Sequence, residues 1–192
     1  GTSKHSPALP LYSIEDAQKA ISLLRGIPYD TPFRPTADML ISFQDAGHIL
    51  GSAFAIIRWQ ENGEERKIAF SGDLGRYERP ILKNPSVIRD ADYLLVESTY
   101  GDRLHGQGDP KEELTRIINE TIARKGIVVI PSFAVGRTQE LLYTLRELES
   151  EGAIPVLPVY VDSPMAIKAT KLYSEHTEIY DKEANALKAK GI

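Results

Sequence analysis

The sequence predicts an α/β protein, and three observations point to that class. Residues 1 to about 100 hold short apolar runs separated by turn-forming residues, the pattern of strands and loops. Residues from about 109 to 192 alternate helical and extended patterns, the spacing of strand–helix–strand crossovers between parallel strands. Between two of the early apolar runs stands Asn62-Gly63, a dipeptide that accepts the positive φ angles of a tight hairpin.

Ser13 is placed as a helix N-cap, with Glu15 and Asp16 in the first turn. Ile14, Ala17, Ile21 and Leu24 follow at helical spacing, so a short amphipathic helix is expected over 14–25. Pro28, Pro32 and Pro35 then interrupt regular structure. Strands are expected over 39–43, 53–59 and 67–70, with the hairpin joining the last two, and a short strand over 93–96 ends at Glu97. Asp109 caps the next helix and Pro110 takes its first position. Leu114, Ile117, Ile118 and Ile122 form that helix's apolar stripe, and Gly126 closes it. Beyond it, strands are expected over 127–130 and 156–161, and helices over 138–150, 165–173 and 178–190.

Composition narrows the chemistry. With 192 residues the chain holds one good core or two small domains, and 42% hydrophobic with 26% charged residues is ordinary for a soluble protein. No run approaches the ~20 apolar residues that span a membrane. Residues 1–10 carry no apolar signal-peptide core. Cysteine is absent, which rules out disulfides and cysteine-based zinc fingers and fits a cytoplasmic location. Any metal must then be held by His and carboxylates. The net charge of −4 matters for nucleic acid, because a protein relying on many Lys–phosphate contacts would be basic. Affinity for such a ligand has to come from local basic groups and metal ions.

Three segments place a polar group where a strand ends. In the first, His48 lies between a strand ending near residue 43 and one beginning at 53, on a loop with Gly47 and Gly51. A neutral imidazole on a stiff loop makes a good metal ligand, with Asp45 as an acceptor to orient it; a histidine satisfied by backbone is the plainer alternative. In the second, an apolar strand delivers Ser71-Gly72-Asp73, and the Asp73 carboxylate is able to bridge two divalent cations or simply to sit in a turn. In the third, the strand over 93–96 is followed at once by Glu97. A carboxylate ending a buried strand needs a cation, a His or a metal nearby, unless it caps the following turn.

Further along, Arg137 opens a helix with Ser132 and Thr138 close by, a set suited to a phosphate or to plain capping. Asp162 and Ser163 follow an expected strand, where open α/β sheets bind ligands; Ser163 also reads as the cap before Pro164. His105, with Arg103, is a candidate backbone contact or an exposed loop residue, and His5 and His176 read as surface residues. No phosphate-binding P-loop or dinucleotide-binding glycine turn is present.

The segments "DAGHILGSA", "FSGDLGR", "LLVESTYGDRLH", "IVVIPSFAVGRTQELLYTL" and "PVYVDSPMA" come in this order and cover nearly the whole chain. The chain thereby resembles the β-CASP nuclease branch of the metallo-β-lactamase superfamily. The resemblance is closest to RNA-processing members such as the cleavage and polyadenylation nuclease subunit and its bacterial and archaeal counterparts. It implies part of a metallo-β-lactamase αββα sandwich over residues 1–104 and part of a β-CASP α/β domain with parallel strands over 105–192. It implies a zinc-dependent phosphodiesterase with two zincs per complete site, a metal-bridging hydroxide as nucleophile, and RNA ahead of DNA as substrate. His48 matches a zinc ligand, Asp73 the carboxylate bridging both zincs, and Glu97 the acidic residue that hydrogen-bonds a catalytic histidine. Ser132, Arg137, Thr138 and Ser163 stand as substrate-binding candidates.

The family pattern also requires an H-x-H-x-D-H run before the "DAGH" segment and two further histidines after the β-CASP insert. The sequence has four histidines, none in an H-x-H arrangement. The expectation is therefore a fragment of the enzyme, inactive by itself, with weak or no zinc binding. It is also expected to self-associate or dimerise through apolar surface left uncovered, with no membrane partner. The alternative is a non-catalytic β-CASP-like scaffold or RNA-binding subunit of an RNA-processing complex.

Overall fold

The hairpin forms where the sequence places it. Asn62 and Gly63 both take positive φ, 53° and 84°, the twist that matches right-handed strands. This turn joins β3 (Ala53–Glu61) to β4 (Glu64–Phe70), and β2 (Met39–Asp45) lies on the other side of β3. In this computed structural model, which describes residues 10–104, 106, 108–180 and 184, these strands centre a five-stranded sheet of order β1-β2-β3-β4-β5. Edge strand β1 (Phe33–Thr36) pairs antiparallel with β2 through a register shift, a strand the prolines concealed at the sequence level. The opposite edge, β5 (Tyr93–Leu95), runs parallel to β4, with Phe70 opposite Leu95. The mixed α/β class predicted from sequence is what the chain adopts.

Register decides which side chains form the sheet's core. Ile56 lies opposite both Ser42 and Ala69, and these three share the buried face with Phe54. Ala46 joins them, and Ile88 and Ala91 cover the cluster from the β4–β5 connection.

The helices follow their caps. Helix α1 (Ile14–Ser22) starts with a capping box in which Ser13 Oγ accepts the Asp16 N–H and Asp16 accepts the Ser13 N–H. It buries none of its residues. Helix α2 (Pro110–Ala123) is capped by Asp109, and its left-handed closing residue is Lys125, φ 56°, one position before the expected Gly126. Helix α3 (Arg137–Ser150) packs on α2 around Ile118, Leu148 and Ile154. Helix α4 (Pro164–Glu175) is followed by a 3-10 turn, Thr177–Ile179. The rest of the expected helix over 178–190 lies outside the described residues, apart from residues 180 and 184.

Two expected strands are absent. Segments 127–130 and 156–161 carry no ladder, so the parallel pairing predicted there is found instead between β4 and β5. Val128 and Leu157 turn inward onto the α2–α3 core, while Ile127 is 88% and Tyr160 87% exposed. Apolar β-branched sequence makes a segment competent to pair; it does not supply the neighbour.

A third cluster joins sheet and helices. Ile81 and Leu82, from the β4–β5 connection, pack against Tyr173 of α4, with Leu50, Tyr143 and Tyr180 around them. Ile81 does this at φ 78°, where the Leu82 N–H closes a γ-turn on the Pro80 carbonyl. A β-branched residue rarely adopts that backbone, so surrounding packing has to hold it.

Candidate active site at the strand tips

The His48 loop is built by short hydrogen bonds. Asp45 Oδ1 accepts the Gly47 N–H at 2.8 Å, and Ser52 Oγ accepts the N–H groups of His48 and Ile49 at 3.0 and 3.2 Å. The Tyr29 hydroxyl donates to the Ser52 carbonyl, and burial together with the nearby Asp45 charge pushes that phenol up to about 12. The expected orientation of the imidazole by Asp45 is not found: its Oδ1 supports the turn. His48 Nδ1 is buried with no hydrogen-bond partner among the described residues.

The Asp73 loop is pressed onto this one through glycines. The Gly75 N–H donates to the Ala46 carbonyl at 2.8 Å, and a Cβ on Gly75 would fall 1.9 Å from the Gly47 carbonyl oxygen. Gly47, at φ 62°, is in turn so close to Lys83 and Pro85 that a Cβ would stand 2.8 Å from the Pro85 nitrogen. Asp73 itself is exposed, two residues before that contact.

Glu97 locks the third tip to the second. Its N–H donates to Ser71 Oγ at 3.0 Å, and its Oε1 accepts the Leu74 N–H at 2.9 Å. Its Oε2 accepts the Thr99 N–H at 3.2 Å. Hydrogen bonds from Thr99 and from the Leu74 N–H hold the Glu97 carboxyl below the ordinary glutamate value, and attraction to His48 adds to them. Glu97, however, ends an exposed edge strand; the buried strand expected from its apolar sequence is not what β5 is.

The helices reach the same place. The Gly136 backbone at the start of α3 sits so close to Ile49 that a Cβ there would be 3.0 Å from Ile49 Cγ2. Arg137, 60% exposed, follows, and its guanidinium pairs with Glu140 at 3.2 Å. Glu140, almost buried, is also held by Arg79 at 2.5 Å. Thr138 Oγ1 donates to the Phe133 carbonyl at 2.7 Å and lies 3.4 Å from Ser132 Oγ. Ser163 Oγ is occupied as the cap of α4, accepting the Ala166 N–H. His176 contacts Glu178 on the surface, and His5 and His105 lie outside the described residues.

Sequence reasoning missed Ser52, Ser71, Arg79, Glu140 and Tyr173. Glu140 was detectable from its spacing of three from Arg137. Tyr173 had no local signal; its hydroxyl accepts the Leu50 N–H from 123 positions away.

The donor types at these tips, an imidazole and a carboxylate, suit zinc. Their number does not. Among the described residues no three His, Asp or Glu side chains gather as a metal-holding group. On donor chemistry alone, His48 and Asp73 could make up only part of a coordination set.

Comparison with known proteins matches residues 138–191 to the β-CASP domain model. A ribonuclease of Thermus thermophilus is 38% identical over 92% of this chain and 40% of its own length. A transcription termination factor of Methanosarcina mazei is 35% identical over 90% of this chain and 28% of its own. An RNase J-like protein of Methanocaldococcus jannaschii is 33% identical over 86% and 39% respectively. The chain thus spans well under half the length of these relatives.

Proposed function

Because the chain belongs to the β-CASP family of metallo-β-lactamase-fold proteins, we propose that it is part of a zinc-dependent phosphodiesterase that cleaves RNA in the cytoplasm. Residues 1–104 contribute the metallo-β-lactamase part and 105–192 the β-CASP part. The observation that carries this reading is the meeting of three strand tips. The His48 and Asp73 loops are joined by the Gly75–Ala46 hydrogen bond, and Glu97 is bonded to the residue after Asp73. RNA as substrate is supported by the relatives, a ribonuclease and an RNase J-like protein among them.

His48 and Asp73 would serve as zinc ligands, and Arg137, with Ser132, Thr138 and Ser163, would line the approach of the phosphodiester backbone. Bound zinc supplies a water whose pKa is lowered toward neutrality and neutralises the scissile phosphate. Glu97 keeps the Asp73 loop in register and stays ionised beside His48. This donor set is short of ligands for a complete zinc site. By the same count, the chain in isolation is expected to bind zinc weakly.

The test is RNA cleavage by a protein that joins this chain to the remaining ligands, comparing wild type with His48→Ala and Asp73→Asn. Each variant is expected to lose at least about a hundredfold in rate, as removal of a metal ligand demands. Zinc-independent cleavage at the wild-type rate in both variants would exclude the reading. RNA binding with no cleavage by wild type would favour the scaffold alternative, which the short donor set also supports.

A further inference from the structure

We propose that Tyr173 is a positioning residue for the His48 loop, supplied by the helical part of the chain. This inference rests on the strand-tip site just proposed. The Tyr173 phenol oxygen accepts the Leu50 N–H at 3.1 Å, two residues after His48. That bond has no local substitute visible in the loop, since Ser52 Oγ already takes the N–H groups of His48 and Ile49. The three consecutive amides of His48, Ile49 and Leu50 are thus all held by side-chain oxygens, and the third oxygen comes from α4.

The phenol is itself fixed. Tyr173 is buried against Ile81 and Leu82, and its backbone carbonyl accepts the Tyr180 hydroxyl at 2.9 Å. Glu140 and Arg79 stand close enough to perturb its hydroxyl electrostatically. The Gly136 backbone presses on Ile49 from α3. Two helices therefore constrain one loop, α3 by contact and α4 by a directed hydrogen bond. Side-chain acceptors within the loop reach the amides of His48 and Ile49 but not that of Leu50, so the far side of the loop, and with it the angle at which His48 is presented, depends on that outside support.

Tyr173→Phe removes one oxygen and keeps the ring, so packing and positioning separate. In the 192-residue chain, exchange of the Leu50 amide proton is expected to rise roughly five- to tenfold, the loss of one neutral hydrogen bond. The His48 ring-proton resonances are expected to shift, while those of residues in the sheet core stay in place. Tyr173→Leu, which removes ring and oxygen together, should add a fall in melting temperature that Tyr173→Phe does not show. Unchanged Leu50 exchange and unchanged His48 resonances in Tyr173→Phe would overturn the proposal. So would a collapse of that variant's melting temperature, which would make the oxygen a structural group. Failure of the nuclease reading is seen separately, as absence of RNA cleavage by the wild-type parent protein, and leaves the exchange result untouched.

Discussion

Gly75 is the least replaceable residue at the strand tips. An alanine there would put its Cβ 1.9 Å from the Gly47 carbonyl oxygen, so the two loops would have to separate. Gly75→Ala is expected to lower stability by about 3 kcal/mol or more, checked by denaturant melts, and to weaken zinc binding in a protein that also carries the remaining ligands, checked by metal titration. Ser71 offers a milder lesion. It is 3% exposed, and Ser71→Ala leaves the Glu97 N–H without its acceptor, an expected cost of roughly 1–3 kcal/mol. Glu97 also sets a pH dependence. Its folded pKa lies below the ordinary value of 4.5, so its contribution is fully present above that value and is lost as pH falls through the lower folded one. The carboxylate is partly solvated, so the effect is small. Acid melts should show wild type above Glu97→Gln at neutral pH and the two converging in acid; parallel curves throughout would contradict the hydrogen bonding described. Of these three residues only Glu97 announced itself in the sequence. The glycine contact and the buried hydroxyl became visible only when loops distant along the chain met.

The start of α3 carries more than a helix cap. Gln139 Oε1 accepts the Gly136 N–H at 2.7 Å while its amide donates to Ala134 and Thr170, so one side chain caps α3 and ties it to α4. The next residue, Glu140, holds Arg79 from the sheet side and Arg137 from its own helix. Glu140→Gln would leave two guanidiniums without their carboxylate. A loss of roughly 2 kcal/mol is expected, less than for a fully buried pair because Arg79 is a fifth exposed. The substitution also raises net positive charge near Arg137, so simple attraction would tighten RNA binding. If Glu140 instead holds Arg137 in place, binding weakens, and the sign of the change in a filter-binding assay decides. Helices and the Asn62-Gly63 hairpin were legible because each depends on neighbours in sequence: caps, periodicity, a turn dipeptide. Strand β1 and the two apolar segments that form no strand were not, since pairing depends on a partner that local pattern cannot name.

Among the described residues, sheet and helices meet through specific contacts that include the cluster of Ile81, Leu82 and Tyr173, the Arg79–Glu140 pair, the Leu50–Tyr173 hydrogen bond and the approach of Gly136 to Ile49. Considerable apolar surface is uncovered among the described residues, including Val129, Phe133, Val156 and the side chains of edge strand β5. Concentration-dependent association of the 192-residue chain is therefore expected in light scattering, and Val129→Lys with Val156→Lys should reduce it. A clean monomer at micromolar concentration would count against it. The strained turn at Ile81 gives the joint a particular character. Pulling the helices away exposes Ile81, Leu82 and Tyr173 to water together, leaves Arg79 without its carboxylate while Glu140 keeps only Arg137 of its own helix, and lets the turn relax. Because these losses fall together, the joint is expected to open like a latch, in one step rather than by degrees, with the amides of Leu50 and Leu82 exchanging in concert.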